Sequence, residues 1–287
     1  MAPVSNASPD GNTMKPTEQD VGLPRLFHFD LPRLKQFNEL FPEQGNVSAI
    51  HRILDIASGN GEWAIIAAQT FPQLQFVGIE RDEHLVEQAR VQAQAHGVEN
   101  VSFIAMDPFQ PLDLPAGSFD LVNVRYIVGL LPNSAWPNAL QEFVRVVRPG
   151  GIVRLTETDL PISSSPAFAQ LGGLISQAFC QTKRSFSPDG RLLSVTPTLK
   201  RLLEDAGCQH VQQAVWVTNF STEMNTHADI CQSLAQTYQL ALPFLVSHAI
   251  TTQQEAEQLY QQMLTEMQSA RFNALAFSMT VWGNIPS

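Results

Sequence analysis

Short apolar runs alternate with segments of helical spacing over the first half of the chain, from His51 to about Asp159. Residues 53–57, 75–80, 101–105, 119–124 and 152–157 read as strands, and 62–70, 83–96 and 135–147 as helices, with Gly97 stopping the second. Pro149-Gly150-Gly151 reads as a tight turn into the fifth strand. The strands are near-continuous apolar runs without in-out alternation, as expected of parallel strands covered on both faces. Their alternation with helices implies βαβ units.

Beyond Asp159 the spacing predicts helices over 167–181 and 198–206, with Gly207 closing the latter, and strands over 211–220 and 271–283. Between those two strands, 222–270 is helical in character and far longer than an ordinary connection. It is expected to form a cap over the carboxyl ends of the strands. The expected fold class is therefore α/β: a Rossmann-like, doubly wound, mostly parallel seven-stranded sheet with a C-terminal antiparallel strand and a helical cap. Residues 49–221 plus 271–287 form the sheet domain in this reading, and 222–270 the insertion. Residues 1–20 read as a flexible tail. Leu31, Leu34, Phe37 and Leu40 recur at helical spacing among Pro24, Pro32 and Pro42, so 21–48 is expected to be a helical lid.

Composition narrows the function classes. Of 287 residues, 44% are hydrophobic and 15% charged, with 17 basic against 27 acidic residues and a formal net charge of −10. Such a surface repels phosphate backbones, and no Lys/Arg cluster offsets it, so no nucleic-acid partner is expected. Cys180, Cys208 and Cys231 are too scattered for a disulfide framework or a zinc site, and no His/Asp/Glu group has metal-ligand spacing. The chain shows neither a signal peptide nor an apolar run of the roughly 20 residues that span a bilayer. A cytoplasmic protein without metal or membrane partner is expected.

Three strand ends carry chemistry. Asp55-Ile56-Ala57-Ser58-Gly59-Asn60-Gly61 ends the first strand, where glycines let a ligand approach the backbone. Asp55 can accept from a ligand ammonium or orient the loop. The second strand ends in Glu80-Arg81-Asp82, and a carboxylate there can accept both hydroxyls of an adenosine ribose. The third ends in Asp107-Pro108-Phe109, where the acid can accept from an adenine amino group and an apolar neighbour can pack on the ring. Each motif alone is weak; in sequence they outline one adenosine site.

Over about residues 50–159 the chain resembles the class I S-adenosylmethionine (SAM)-dependent methyltransferases, and most of all their small-molecule branch related to ubiquinone-biosynthesis and secondary-metabolite enzymes. Asp55-x-x-x-Gly59-x-Gly61 resembles the first motif, Glu80 the ribose acid and Asp107 the adenine-contacting acid. Phe119-Asp120-Leu121-Val122 followed by Arg125-Tyr126 is similar to the fourth-strand motif beside the methionine part of SAM. Arg145-Val146-Val147-Arg148-Pro149-Gly150-Gly151 matches the helix–turn–strand of the family. Ala57 departs from the usual glycine; its methyl fits if its φ stays in an ordinary region. The resemblance implies SAM as cofactor, with Asp55, Ala57, Gly59, Gly61, Glu80, Arg81, Asp107, Pro108, Phe109, Arg125 and Tyr126 around it.

Methyl transfer is an in-line displacement that depends on alignment and exclusion of water. The cofactor site does not dictate a base, and Tyr126, Arg125, Glu157 and His28 are the catalytic candidates. The apolar cap and low charge point to a small, fairly hydrophobic acceptor methylated on O, N or C, in secondary metabolism, by a homodimer. Two alternatives keep the SAM pocket: a non-methylating cyclase, decarboxylase or hydroxylase, or a non-catalytic partner subunit.

Overall fold

The computed structural model describes residues 40–41 and 48–287. The expected tail, and all of the expected lid except Leu40, Phe41 and Ser48, lie outside the described residues, and His28 with them.

Five strands and three helices alternate first: β1 (Arg52–Ile56), α1 (Glu62–Thr70), β2 (Gln75–Glu80), α2 (Glu83–Ala95), β3 (Val101–Ala105), β4 (Phe119–Arg125), α3 (Trp136–Val146) and β5 (Val147–Thr158). After them come β6 (Ile162–Ser163), α4 (Pro166–Gln181), α5 (Leu199–Asp205), β7 (Gln209–Asn219), α6 (His227–Ser247), α7 (Gln253–Met267) and β8 (Ala274–Asn284). The first five strands are parallel, in the order β3-β2-β1-β4-β5; β8 lies antiparallel to β5, and both β6 and β7 pair antiparallel with β8. The sheet thus holds eight strands rather than seven. The addition, β6, is two residues long and too short to leave an apolar signature in the sequence.

Local chemistry sets the helix starts. Asp82 caps α2 by accepting from the His84 and Leu85 amides. Ser165 caps α4 ahead of Pro166, and Thr252 with Glu255 forms a capping box on α7. In α3, Trp136, Ala139, Leu140, Phe143 and Val146 make one buried stripe.

One face of the sheet packs α1 and α2 in a cluster around Ile53, Trp63, Phe76 and Phe103. The other face joins α3, α5 and the remaining helices in a larger cluster. β7 pairs antiparallel with β8, as β5 does, so β5 and β7 end at the same edge of the sheet. α4 follows β5 at that edge and α6–α7 follow β7, and the three helices pack on one another.

Two local readings are corrected. Pro149-Gly150-Gly151 lies inside β5, not in a turn before it. Val147 pairs with Phe119 but Ile152 with Leu121, so the segment is a bulge, with Gly150 at φ +73°. A Cβ on Gly151 would stand 2.5 Å from Val147 Cγ1 and 2.7 Å from the Asp120 carbonyl, so no side chain fits. Ala57, expected to close the first strand, lies just past β1 at φ +52°, in the left-handed region, so the ordinary φ on which the fit of its methyl is conditioned is not met. Ala57 makes the turn that brings the chain back toward β2, where the Ser58 amide donates to the Ile79 carbonyl at 3.0 Å.

Candidate functional site

A cleft of about 410 Å³, including its mouth open to solvent, lies at the carboxyl ends of β1 to β4. This is the edge beside the point where strand order reverses between β1 and β4, the usual place for a ligand in a doubly wound sheet. Ala57, Gly59, Glu80, Arg81, Leu85, Pro108, Phe109, Arg125, Tyr126 and Leu130 form its walls.

Glu80, 7% exposed, fixes the floor. Its Oε2 accepts from the Gly59 amide at 3.1 Å, and its Oε1 from the amides of Arg81 (2.8 Å) and Asp82 (3.2 Å). One carboxylate thus ties the glycine loop after β1 to the end of β2. Leu85, Pro108 and Phe109 supply an apolar part of the lining. Asp107 is not in the lining; its Oδ1 accepts from the Phe109 amide at 2.9 Å, which shapes the turn that presents Pro108 and Phe109.

The third wall comes from the end of β4. The Arg125 guanidinium lies 5.1 Å from the Trp63 ring and 5.8 Å from the Tyr126 ring. Tyr126 has φ +55°, and its amide donates to the Thr156 carbonyl at 2.9 Å. Ala57 and Tyr126, at the ends of neighbouring strands, thus both take a conformation that side chains rarely adopt.

Asp55, expected around the cofactor, is not in the lining; it belongs to a buried polar row whose other members, Asn123 and Arg154, the sequence did not single out. Asn123 donates from Nδ2 to Asp55 Oδ1 at 2.7 Å and accepts at Oδ1 from Arg154 at 2.7 Å, across adjacent strands β1, β4 and β5. Asp55, Asn123 and Arg154 are 2%, 0% and 4% exposed. Burial pushes the Asp55 carboxyl up to about 6, against the pull of Arg125, the Asn123 amide and Arg154. The signal was present: Asn123 interrupts Leu121-Val122-x-Val124, and Arg154 interrupts Ile152-Val153-x-Leu155.

Several sequence-selected residues do other work. Gly61 does not line the cleft; a Cβ there would stand 2.5 Å from the Phe103 ring and 2.7 Å from the Ala89 Cβ. Asp120 sits at the amino end of β4, away from the cleft, where its Oδ2 accepts from the amides of His51 (2.8 Å) and Arg52 (2.7 Å) and its Oδ1 pairs with Arg148. Arg145 holds Glu142 and the carbonyls of Leu112 and Leu114. Glu157 is 1% exposed and absent from the lining; its Oε1 accepts from the amides of Ile127 (2.7 Å) and Val128 (3.1 Å). Burial pushes its carboxyl up to about 8, partly offset by the backbone N–H groups around it. Among the described residues, no group of His, Cys, Asp and Glu is arranged to hold a metal ion, and no helix is long and apolar enough to cross a membrane.

Residues 53–151 match a family described as a methyltransferase domain. A demethylmenaquinone methyltransferase of Thermus thermophilus is 34% identical over 140 residues, 45% of this chain and 61% of that protein. Methyltransferase str3 of Strobilurus tenacellus is 33% identical over 108 residues, 38% of this chain and 35% of that protein. The chain thus spans about a third to three fifths of the length of these curated relatives. Among solved structures, a methyltransferase-like protein of Bacillus halodurans superposes with a TM-score of 0.56 at 18% identity, covering 89% of this chain and 100% of that one. A phosphoethanolamine N-methyltransferase of Haemonchus contortus in complex with S-adenosyl-L-methionine gives 0.53 at 16% identity, covering 93% of this chain and 57% of that one. The likeness to these two structures is one of fold.

Proposed function

We propose that this chain, which belongs to the class I SAM-dependent methyltransferase superfamily, binds SAM in the cleft at the β1–β4 edge and transfers its methyl group to O, N or C of a small, fairly hydrophobic molecule. The observation that carries the reading is the position of Glu80: an almost buried carboxylate beside the Gly59 backbone, in a cleft that Leu85, Pro108 and Phe109 also line. That donor set suits a nucleoside, with Glu80 accepting from the ribose hydroxyls and the apolar residues flanking the adenine. Arg125 offers a cation to the amino-acid end, and its stacking against Trp63 limits how far it can swing. The buried Asp55 row stops two residues short of Ala57 and Arg125, which line the cleft.

Bound SAM would supply an electrophilic methyl on a sulfonium. The chain's own part is to orient and to exclude water. Glu80 is the only carboxylate lining the cleft among the described residues, and no histidine lines it. Glu157 is walled off, so an acceptor that needs deprotonation would meet its base outside the lining described above. The cap of residues 222–270 holds α6 and α7, and their apolar packing with α4 favours an apolar acceptor. Demethylmenaquinone, named for several relatives, is an acceptor of that kind. A cytoplasmic homodimer working in secondary metabolism, with neither nucleic acid nor membrane as partner, completes the proposal.

The test is a calorimetric titration with SAM and with S-adenosylhomocysteine, followed by a search of extracts for transfer of labelled methyl. Binding with transfer supports the proposal and leads to the acceptor. Binding without transfer moves the reading to a non-methylating enzyme or a partner subunit; absence of binding overturns it.

A further inference from the structure

The cleft's third wall hangs on a loop, and the loop hangs on a residue outside the cleft. Tyr126 and Leu130 line the cavity, four positions apart. Between them, the amides of Ile127 and Val128 both donate to Oε1 of Glu157. The rest of the loop is closely tied: the Leu130 amide donates to the Ile127 carbonyl at 3.0 Å, and Val128 bridges to Leu131. From the cap side, the Phe179 ring of α4 sits where a Cβ on Gly129 would come within 2.6 Å. The loop is thus pinned by β5 on one side and by α4 on the other.

Glu157 is an unusual choice for such a pin. Its Oε2 is buried without a hydrogen-bond partner, and Ile127 and Val128, whose amides its Oε1 holds, belong to the larger apolar cluster. An asparagine or serine could bond a loop amide without a carboxyl's desolvation cost. What the side chain provides is one oxygen taking two consecutive N–H groups at the turn that follows Tyr126, which a glutamine of the same length can also offer. A bulky residue stays in the left-handed region only where its surroundings over-determine it. The Thr156 carbonyl and the Glu157 carboxyl, successive groups of β5, supply that constraint.

We infer that Glu157 is a positioning residue: by holding the Ile127 and Val128 amides it sets where Tyr126 and Leu130 stand in the cofactor cleft. The inference rests on the reading of that cleft as the SAM site. Glu157→Gln keeps a carbonyl oxygen for the two amides, whereas Glu157→Ala leaves both buried and unpaired.

The experiment is a calorimetric titration of the full chain with S-adenosylhomocysteine. Glu157→Ala is expected to weaken binding at least fivefold, and Glu157→Gln to restore it to within twofold of the parent. Glu142→Ala is the control for general destabilisation, since it removes a carboxylate that holds the Leu112 amide away from the cleft. It should lower the melting temperature and leave affinity within twofold. Unchanged affinity in Glu157→Ala, no rescue by Glu157→Gln, or an equal loss in Glu142→Ala overturns the inference. If the parent chain binds no S-adenosylhomocysteine, the cofactor reading is what fails. Amide hydrogen exchange then decides the holding role. Protection at Ile127 and Val128 that is lost in Glu157→Ala and kept in Glu157→Gln supports it; protection unchanged in both overturns it.

Discussion

Asn123 gives Nδ2 to Asp55 at 2.7 Å in the middle of the parallel sheet, where both side chains are cut off from water. A lone carboxylate there would be expensive to bury. Asn123 also accepts from Arg154, so one amide joins an acid on β1 to a cation on β5 across the strand between them. The row crosses β1, β4 and β5 two residues before Ala57 and Arg125, which line the cleft.

Asn123→Ala is therefore expected to cost more than a typical buried hydrogen bond. It removes one hydrogen bond from each of Asp55 and Arg154, and losing a bond to a charged group that stays buried costs about 1.5–3 kcal/mol. Equilibrium urea denaturation checks this. A loss below about 1 kcal/mol would mean that water replaces the amide and that the row contributes little.

Glu157 makes stability depend on pH. Its folded-state value is raised to about 8 from 4.5, so between those limits the folded chain holds a proton that the unfolded chain has lost. Stability from this group is complete below about pH 4.5 and declines as pH rises through 8. Glu157→Gln removes the ionisation. Its melting temperature is expected to gain on the parent as pH goes from 5 to 9, and thermal melts across that range read it directly. A constant difference would show that the carboxyl does not titrate there.

The parallel half of the fold was legible because its strands are covered on both faces, so each reads as an apolar run bounded by turn residues. The helices 62–70 and 83–95 announce themselves by spacing and by Asp82 at a start. What escaped were features set by contacts distant in sequence. The slip within β5 depends on Asp120 and Val147 crowding Gly151. Gly61 looks like a ligand glycine in the sequence because the Phe103 ring that needs its bare Cα lies 42 residues away. Asp120 and Arg148 sit in motifs that suggest chemistry, yet they pair with each other at the edge opposite the cleft.

Ala57 offers a test in the opposite direction to most substitutions. At φ +52° a Cβ costs about 1–2 kcal/mol, whereas glycine's greater unfolded-state freedom costs roughly 0.5–1 kcal/mol. Ala57→Gly is expected to leave stability equal or raise it by up to about 1.5 kcal/mol, read as an equal or higher melting temperature. A clear loss would mean that the Ala57 methyl, which lines the cleft, packs better than its backbone angle suggests.

Glu80 and Gly61 stand together in the sequence reading and apart in the structure, so a pair of variants separates binding from packing. Glu80→Gln keeps one oxygen for the backbone amides, turns an NH2 toward the others, and loses the charge that suits two ribose hydroxyls. Affinity for SAM is expected to fall tenfold or more, about 1.4 kcal/mol, with a lower melting temperature from the lost amide contact. Gly61→Ala forces a Cβ to within 2.5 Å of the Phe103 ring at φ +77°. Overpacking and left-handed strain together are expected to cost about 2–4 kcal/mol, read by urea denaturation. The glycine variant that remains folded should bind SAM within a few-fold of the parent, because Gly61 has no place in the lining. The reverse result, a stable Gly61→Ala that loses SAM and a Glu80→Gln that keeps it, would move the site off the β2 edge and sink the assignment of Glu80.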